Sequence, residues 1–195
     1  MSSEKTDTRT RILDATVKTL EESGGKGVRM GDIAKATGIS RQALYLHFPS
    51  RTEQLIAATH YRGDQLDVEG RLAPSRAATR GIERLHLYIE FWGNFIPEIY
   101  SVGKALMMVQ DSDKDAAAAW HDRMWAMRDG CRAAIDALYA DGVLAKEWTR
   151  PKATDALWTL LLVPNWEHLT RECGWSKSEY IRRMKLQAER TFVAR

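Results

Sequence analysis

The stretch Asp32–Arg51, "DIAKATGISRQALYLHFPSR", decides the fold of the first part of the chain. Ile33 and Ala34 belong to a short helical pattern that stops at Gly38. A second pattern opens at Ser40 and carries few apolar residues, Ala43, Leu44 and Phe48, before Pro49 ends it. Glycine reaches the left-handed conformation that a tight turn between helices requires, Ser40 is a good N-cap, and the small Ala34 lets two helices approach. Together these predict a helix-turn-helix. In that motif the second helix enters the major groove with its N-terminal residues at the base edges. Arg pairs bidentately with guanine and Gln with adenine, so Arg41 and Gln42 are the expected base readers. Tyr45, one turn on, is expected at a phosphate. His47 and Arg51 are expected at the nucleic-acid backbone, Arg51 aided by the positive end of the next helix. Taken singly, each has a blander reading: a solvated face for Arg41 and Gln42, core for Tyr45, a satisfied buried imidazole for His47.

Outward from this stretch the apolar residues keep a period of about 3.6, and no segment sustains a period of two, so the fold class is all-α. A first helix is predicted from about Asp7 to Ser23, with Ile12, Leu13, Thr16, Val17 and Leu20 on one face and Gly24-Gly25 as its stop. After Pro49, Ser50-x-x-Glu53 is a capping box that opens a helix carrying Leu55, Ile56, Ala58 and Tyr61. The "LAPSRAATR" stretch around Pro74 and Ser75 is the expected break. The domain division that follows is residues 1–52 for the helix-turn-helix head, 53–74 for a connecting helix and loop, and 75–195 for a helical effector-binding and dimerisation domain. Later helices are predicted from about Arg76 to Ile96, with Pro97 ending it or starting the next to about Gln110, from about Asp113 to Tyr139, from about Pro151 to Arg171, and from Lys177 to Val193. The last opens on a second capping box, Ser176-x-x-Glu179.

With 195 residues, 44% hydrophobic and 28% charged, the chain suits a compact domain and a satellite, and its net charge of +3 leans mildly basic. The polar start "MSSEKTDTRTR" lacks a secretory apolar stretch, and no apolar run approaches the roughly 18 residues of a membrane span. Cys131 and Cys173 stand far apart with no C-x-x-C spacing, so neither a disulfide framework nor a zinc site is indicated, and a cytoplasmic location fits best. No metal or other cofactor is expected. An enzyme is not indicated either. His60, His86, His121 and His168 are scattered, and neither a G-x-S-x-G nor an H-E-x-x-H occurs. "DSDKD" at Asp111–Asp115 has Ala116 where a calcium loop needs Gly, and reads as acidic capping of the following helix.

The order of a first helix followed by "GDIAKATGISRQALYLHFPSRTEQL" resembles the DNA-binding domain of the tetracycline repressor (TetR) family over roughly Arg9 to Ala58. The Gly38-Ile39-Ser40 turn and the Leu44-Tyr45 and His47-Phe48 pairs fall at the family's spacing. The resemblance implies a DNA-facing set of Ser40, Arg41, Gln42, Tyr45, His47 and Arg51. There are two departures. Arg29 stands where the family has a capping Thr or Ser, so it offers charge to a phosphate but no side-chain acceptor for the helix, and Arg51 stands for the usual Lys. "RECGWSKSEY" is similar to the family's junction between its last two helices, which implies that these helices pair with a second subunit's as a four-helix bundle.

Reading two half-sites about 34–36 Å apart asks for a two-fold homodimer. Its candidate contacts are Leu157, Leu160, Leu161, Ile181, Met184, Ala188 and Phe192, which alternatively complete the monomer core; Trp158 and Trp166 suit either surface. The seven tryptophans and seven methionines are many for the length, and aromatic and thioether walls suit a small apolar or flat ligand. Expected lining residues are Trp92, Phe95, Tyr100, Met107, Met108, Met124, Trp125, Trp158 and Asn165, with a filled core as the alternative. His86 and Glu90, one turn apart, either orient that ligand or form a surface pair. The resulting expectation is a DNA-binding transcriptional regulator, a repressor by the family's commoner mode, that binds a palindromic double-stranded operator as a homodimer and is released by a small-molecule effector. The alternative is a regulator without such an effector, controlled by a protein partner or by abundance.

Overall fold

The structure, a computed structural model, describes residues 2–194, with side chains over residues 6–194. Among the described residues ten α-helices follow one another: α1 (Ser2–Glu22), α2 (Met30–Thr37), α3 (Arg41–His47), α4 (Arg51–Gln65), α5 (Val68–Ala77), α6 (Gly81–Met107), α7 (Lys114–Ala140), α8 (Arg150–Leu161), α9 (Val163–Glu167) and α10 (Lys177–Phe192). A π-helical turn, His168–Glu172, lies between α9 and α10. Among the described residues the sole β pairing is an isolated bridge between Leu144 and Val193. None of the helices is long and apolar enough to cross a membrane.

The chain forms two compact units. The first is Met1–Asp67 with Ile99–Asp122, the second Val68–Glu98 with Arg123–Arg195. The contiguous division expected from the sequence falls at residues 52–53 and 74–75. All of α4 stays with the head, and the end of α6 and the start of α7 join it because Val102 and Ala105 enter the head's core. That core gathers Ile12, Val17 and Leu20 of α1, Ile33 and Ala34 of α2, Leu44 and Phe48, and Leu55 and Ala58 of α4. Gly25, at φ 80°, lies where an added Cβ would stand 2.8 Å from the Ser101 carbonyl oxygen, which explains the second glycine of the pair. The Asp113 carboxylate caps α7 by accepting from the Asp115 and Ala116 N–H groups, and it also accepts from the Thr52 hydroxyl, so "DSDKD" is a helix cap.

In the second unit Leu85, Tyr88, Ile89, Phe95 and Ile96 of α6 are buried, as are Met127, Cys131, Ile135 and Leu138 of α7, Leu157 and Leu161 of α8, and Tyr180, Met184 and Phe192 of α10. Burial pushes the Tyr88 hydroxyl well above its ordinary pKa and the Cys131 thiol up to about 12.

α1 begins at Ser2, ahead of the expected Asp7, and three further differences from the sequence expectation fall at prolines. Pro74 lies inside α5, and the break falls at residues 78–80 instead. Pro97 lies inside a single α6: its ring is on an exposed position and costs one N–H, while the buried Phe95, Ile96 and Tyr100 hold the helix on either side. Pro164 does break its helix. Leu162 takes an extended ψ of 143°, and α9 restarts with Pro164 in its first turn, where the missing N–H has no cost.

Candidate nucleic-acid interface

The turn between α2 and α3 forms as its residues require. Gly38 is left-handed at φ 70°, and its N–H caps α2 at the Ala34 and Lys35 carbonyls. Ser40 is extended, and its hydroxyl accepts the Ala43 N–H at 3.0 Å. Leu44 is fully buried under α3, which fixes the rotation of that helix about its axis. Arg41, Gln42, Tyr45 and Leu46 consequently face outward, Tyr45 at 47% exposure and Leu46 at 79%. Arg41 and Tyr45, and likewise Gln42 and Leu46, are one turn apart, so they form two adjacent rows on one face.

Two arginines of α1 brace this pair of helices from below. Arg11 Nη2 donates to the Thr37 carbonyl at 2.7 Å and Arg9 Nη1 to the His47 carbonyl at 2.8 Å, each at a helix C-terminus where cations are favoured. The Arg9 guanidinium also stacks 4.2 Å over the Phe48 ring. The glycines admit two further cations. The guanidinium of Arg41 lies over Gly31, 3.0 Å from where a Cβ would stand, and that of Arg51 lies against Gly27, itself at φ 95°. Arg29 is extended and exposed at the head of α2 with no side-chain cap bond, which is the consequence anticipated for an arginine there. Ser50 caps α4 through the Glu53 N–H at 3.1 Å. Thus Arg29, Ser40, Arg41, Gln42, Tyr45 and Arg51 all stand exposed on the head, and His47 is half-buried. Leu46 was missed from sequence; its signal was the i,i+4 spacing from Gln42, opposite the buried Leu44.

A groove of about 490 Å³ opens in the head between α1, the end of α3 and α4, with Leu13, Phe48 and Ile56 on its floor and Glu53, His60 and Asp64 on its rim. The residues expected to line an effector pocket fall elsewhere and divide between the units. Tyr100, Met107 and Met108 belong to the first, where the Tyr100 hydroxyl accepts from Lys104 Nζ at 2.8 Å and Met108 is 58% exposed. Trp92, Phe95, Met124, Trp125, Trp158 and Asn165 belong to the second. There Trp92 meets Phe91 and Phe95 edge-on at 5.3 and 5.6 Å, and Trp125 stacks on Trp158 at 5.3 Å. Asn165 is exposed and donates to the Thr159 carbonyl. His86 and Glu90 both reach α10, where His86 Nε2 lies 3.0 Å from the Glu189 carboxylate and Glu90 pairs with Lys185.

Among the dimer candidates, Leu157, Leu161, Met184, Ala188 and Phe192 are at 2% exposure or less within one chain, the core placement that the sequence left as their alternative. Leu160 and Ile181 are half-buried and keep some surface.

Residues 12–58 match the family of bacterial regulatory proteins named tetR. The chain is 45% identical over 53 residues, 27% of each chain, to the nucleoid occlusion factor SlmA of Marinomonas sp.. It therefore spans about a quarter of that relative's length. It is 25% identical to the HTH-type transcriptional regulator CymR of Pseudomonas putida over 164 residues, 79% of this chain and 74% of CymR. Its fold is shared with a Saccharomonospora viridis protein crystallised with choline, at TM-score 0.82 and 21% identity over 97% of this chain and 100% of the other.

Proposed function

By its head, residues 12–58, the chain belongs to the tetR family of bacterial regulatory proteins, and from that premise we propose that it is a cytoplasmic DNA-binding transcriptional regulator. It acts as a repressor, binds a palindromic operator as a homodimer and leaves it when a small molecule binds. The observation that carries this reading is the outward face of α3, where Arg41, Gln42, Tyr45 and Leu46 project from a helix fixed by Leu44 beneath and by Arg9 at its C-terminus, while Arg11 holds the end of α2. Arg41 and Gln42 supply hydrogen bonds to guanine and adenine edges, and Leu46 an apolar contact to a thymine methyl. Arg29, Ser40, Tyr45, His47 and Arg51 surround them and hold phosphates, which sets register without reading sequence.

Release by an effector is a shift between two spacings of the heads, and it requires a ligand that prefers one of them. The aromatic faces of Trp92, Trp125 and Trp158 suit a cationic ligand, since tryptophan is the best ring for a quaternary ammonium. Choline, bound by the Saccharomonospora viridis protein, is therefore the first compound to try. A second reading, a regulator with no small-molecule effector, draws support from the contacts those same rings make with one another and from the Arg128 guanidinium, which already lies over Trp125 and Trp158.

The test is selection of bound sequences from a pool of random duplexes with the full chain, and with Arg41→Ala and Gln42→Ala. A palindrome is expected from the full chain. Each variant should lose preference at a fixed pair of positions, at a cost of about 1–3 kcal/mol per contact. Choline is then titrated onto the retained complex. Binding that is unselective, steeply salt-dependent and indifferent to both substitutions would remove α3 as the reading helix. A complex untouched by choline and by other cationic or aromatic compounds would favour the second reading.

A further inference from the structure

The π-helical turn His168–Glu172 brings Cys173, which an ordinary helix would carry well round its axis, onto His168, beside Glu172 at i,i+4. The Cys173 N–H donates to the His168 carbonyl at 2.9 Å, five residues back, so Cys173 sits over His168 rather than well round the helix from it. The Cys173 sulfur is 3.6 Å from His168 Nε2, and His168 Nδ1 is 2.9 Å from Glu172 Oε2. The carboxylate accepts a hydrogen bond from Nδ1–H, which favours the tautomer in which Nε2 is an acceptor, and that acceptor faces the thiol. All three residues are exposed. A metal site is not the reading of this cluster, because the Cys173 sulfur and the Glu172 carboxylate lie at opposite ring nitrogens of His168 and do not converge on one point.

We propose that Cys173 is a reactive surface thiol, with His168 as its base and Glu172 as the positioning residue, that forms covalent adducts with soft electrophiles of the α,β-unsaturated carbonyl class. As the sulfur attacks the β-carbon, the S–H proton passes to His168 Nε2. The electron pair of the carbon–carbon double bond moves onto the α-carbon and carbonyl oxygen as an enolate. His168 returns its proton to the α-carbon, so a thioether is formed and nothing leaves. An internal disulfide is not the outcome, because the only other cysteine, Cys131, is fully buried with its thiol pushed up to about 12. The adduct adds bulk at the turn that leads through Gly174 into the Ser176 cap of α10.

The experiment follows N-ethylmaleimide addition at pH 7 by intact mass on the full chain. One rapid adduct is expected, absent in Cys173→Ser and unchanged in Cys131→Ser. His168→Gln keeps the thiol and its exposure and should slow the reaction by at least about tenfold, a threshold below the roughly 10²–10⁴-fold that a positioned base contributes in an enzyme site. Glu172→Gln should slow it less. In Cys131→Ser protein, Cys173 should also react faster when the chain is folded than in urea. A His168→Gln rate equal to wild type, or equal rates folded and in urea, would show an ordinary exposed thiol and overturn the assignment.

Discussion

Gly130 carries no side chain because Tyr88 occupies the place where one would go. A Cβ there would stand 2.6 Å from two carbons of the Tyr88 ring, and that ring cannot swing away, since its hydroxyl donates to the Met127 carbonyl at 2.6 Å inside the second unit. Relief must come from moving α6 against α7 or from giving up a buried hydrogen bond. Gly130→Ala should therefore lower stability by about 1–3 kcal/mol even though alanine favours helices, as urea unfolding would measure. Unchanged or raised stability would mean that the helices part without cost. Such a glycine could not be read from the sequence, where it looks like a weak point in a helix. The difference between Gly130 and Gly38 is instructive. Gly38 announced itself because its partners, Ala34 and Ser40, lie within a few residues and belong to one local motif. Tyr88 lies 39 residues from the Met127 carbonyl that anchors it. Similarly Arg41, Gln42 and Tyr45 were legible from spacing alone, whereas the clamps from Arg9 and Arg11 span 38 and 26 residues and have no local signal.

At the scale of the helix, proline marks where sequence reasoning diverges from the fold, and the physical reason is the same in each case. A proline removes one hydrogen bond and crowds one carbonyl, a fixed local cost, while the burial it must be weighed against depends on the rest of the chain. In α6 the flanking Phe95, Ile96 and Tyr100 are buried and the helix continues through Pro97; at Pro164 the chain turns at Leu162 instead. Pro97→Ala restores an N–H that can bond to the Gly93 carbonyl. It should raise the melting temperature, with a gain below the roughly 3 kcal/mol that separates the two residues in an unadapted helix. A lower melting temperature would mean that the packing around Phe95 and Tyr100 depends on the bend. The capping boxes at Ser50 and Ser176, by contrast, were legible because a cap is decided by residues three apart.

At the scale of the whole molecule, α6 and α7 each contribute residues to both compact units, so neither unit is closed by a contiguous piece of chain. Val102 and Ala105 of α6 are in the core of the head, while Leu85, Tyr88 and Ile89 of the same helix are in the core of the second unit. One helix thus links the core of the second unit to the core beneath the surface proposed to hold DNA. Cys131 reports opening of the second unit, because its sulfur is inside that unit at 0% exposure and a thiol reagent reaches it only when the unit opens. In Cys173→Ser protein its labelling rate then follows the free energy of opening. A selected operator duplex at 100 times its Kd stabilises the bound fold by about 2.7 kcal/mol. If the units open together, labelling of Cys131 should slow by about 100-fold when that duplex is added, although DNA touches only the head. If the rate is unmoved, the units open independently, and a ligand bound in the second unit has no means of acting on the head through the stability of the helices they share.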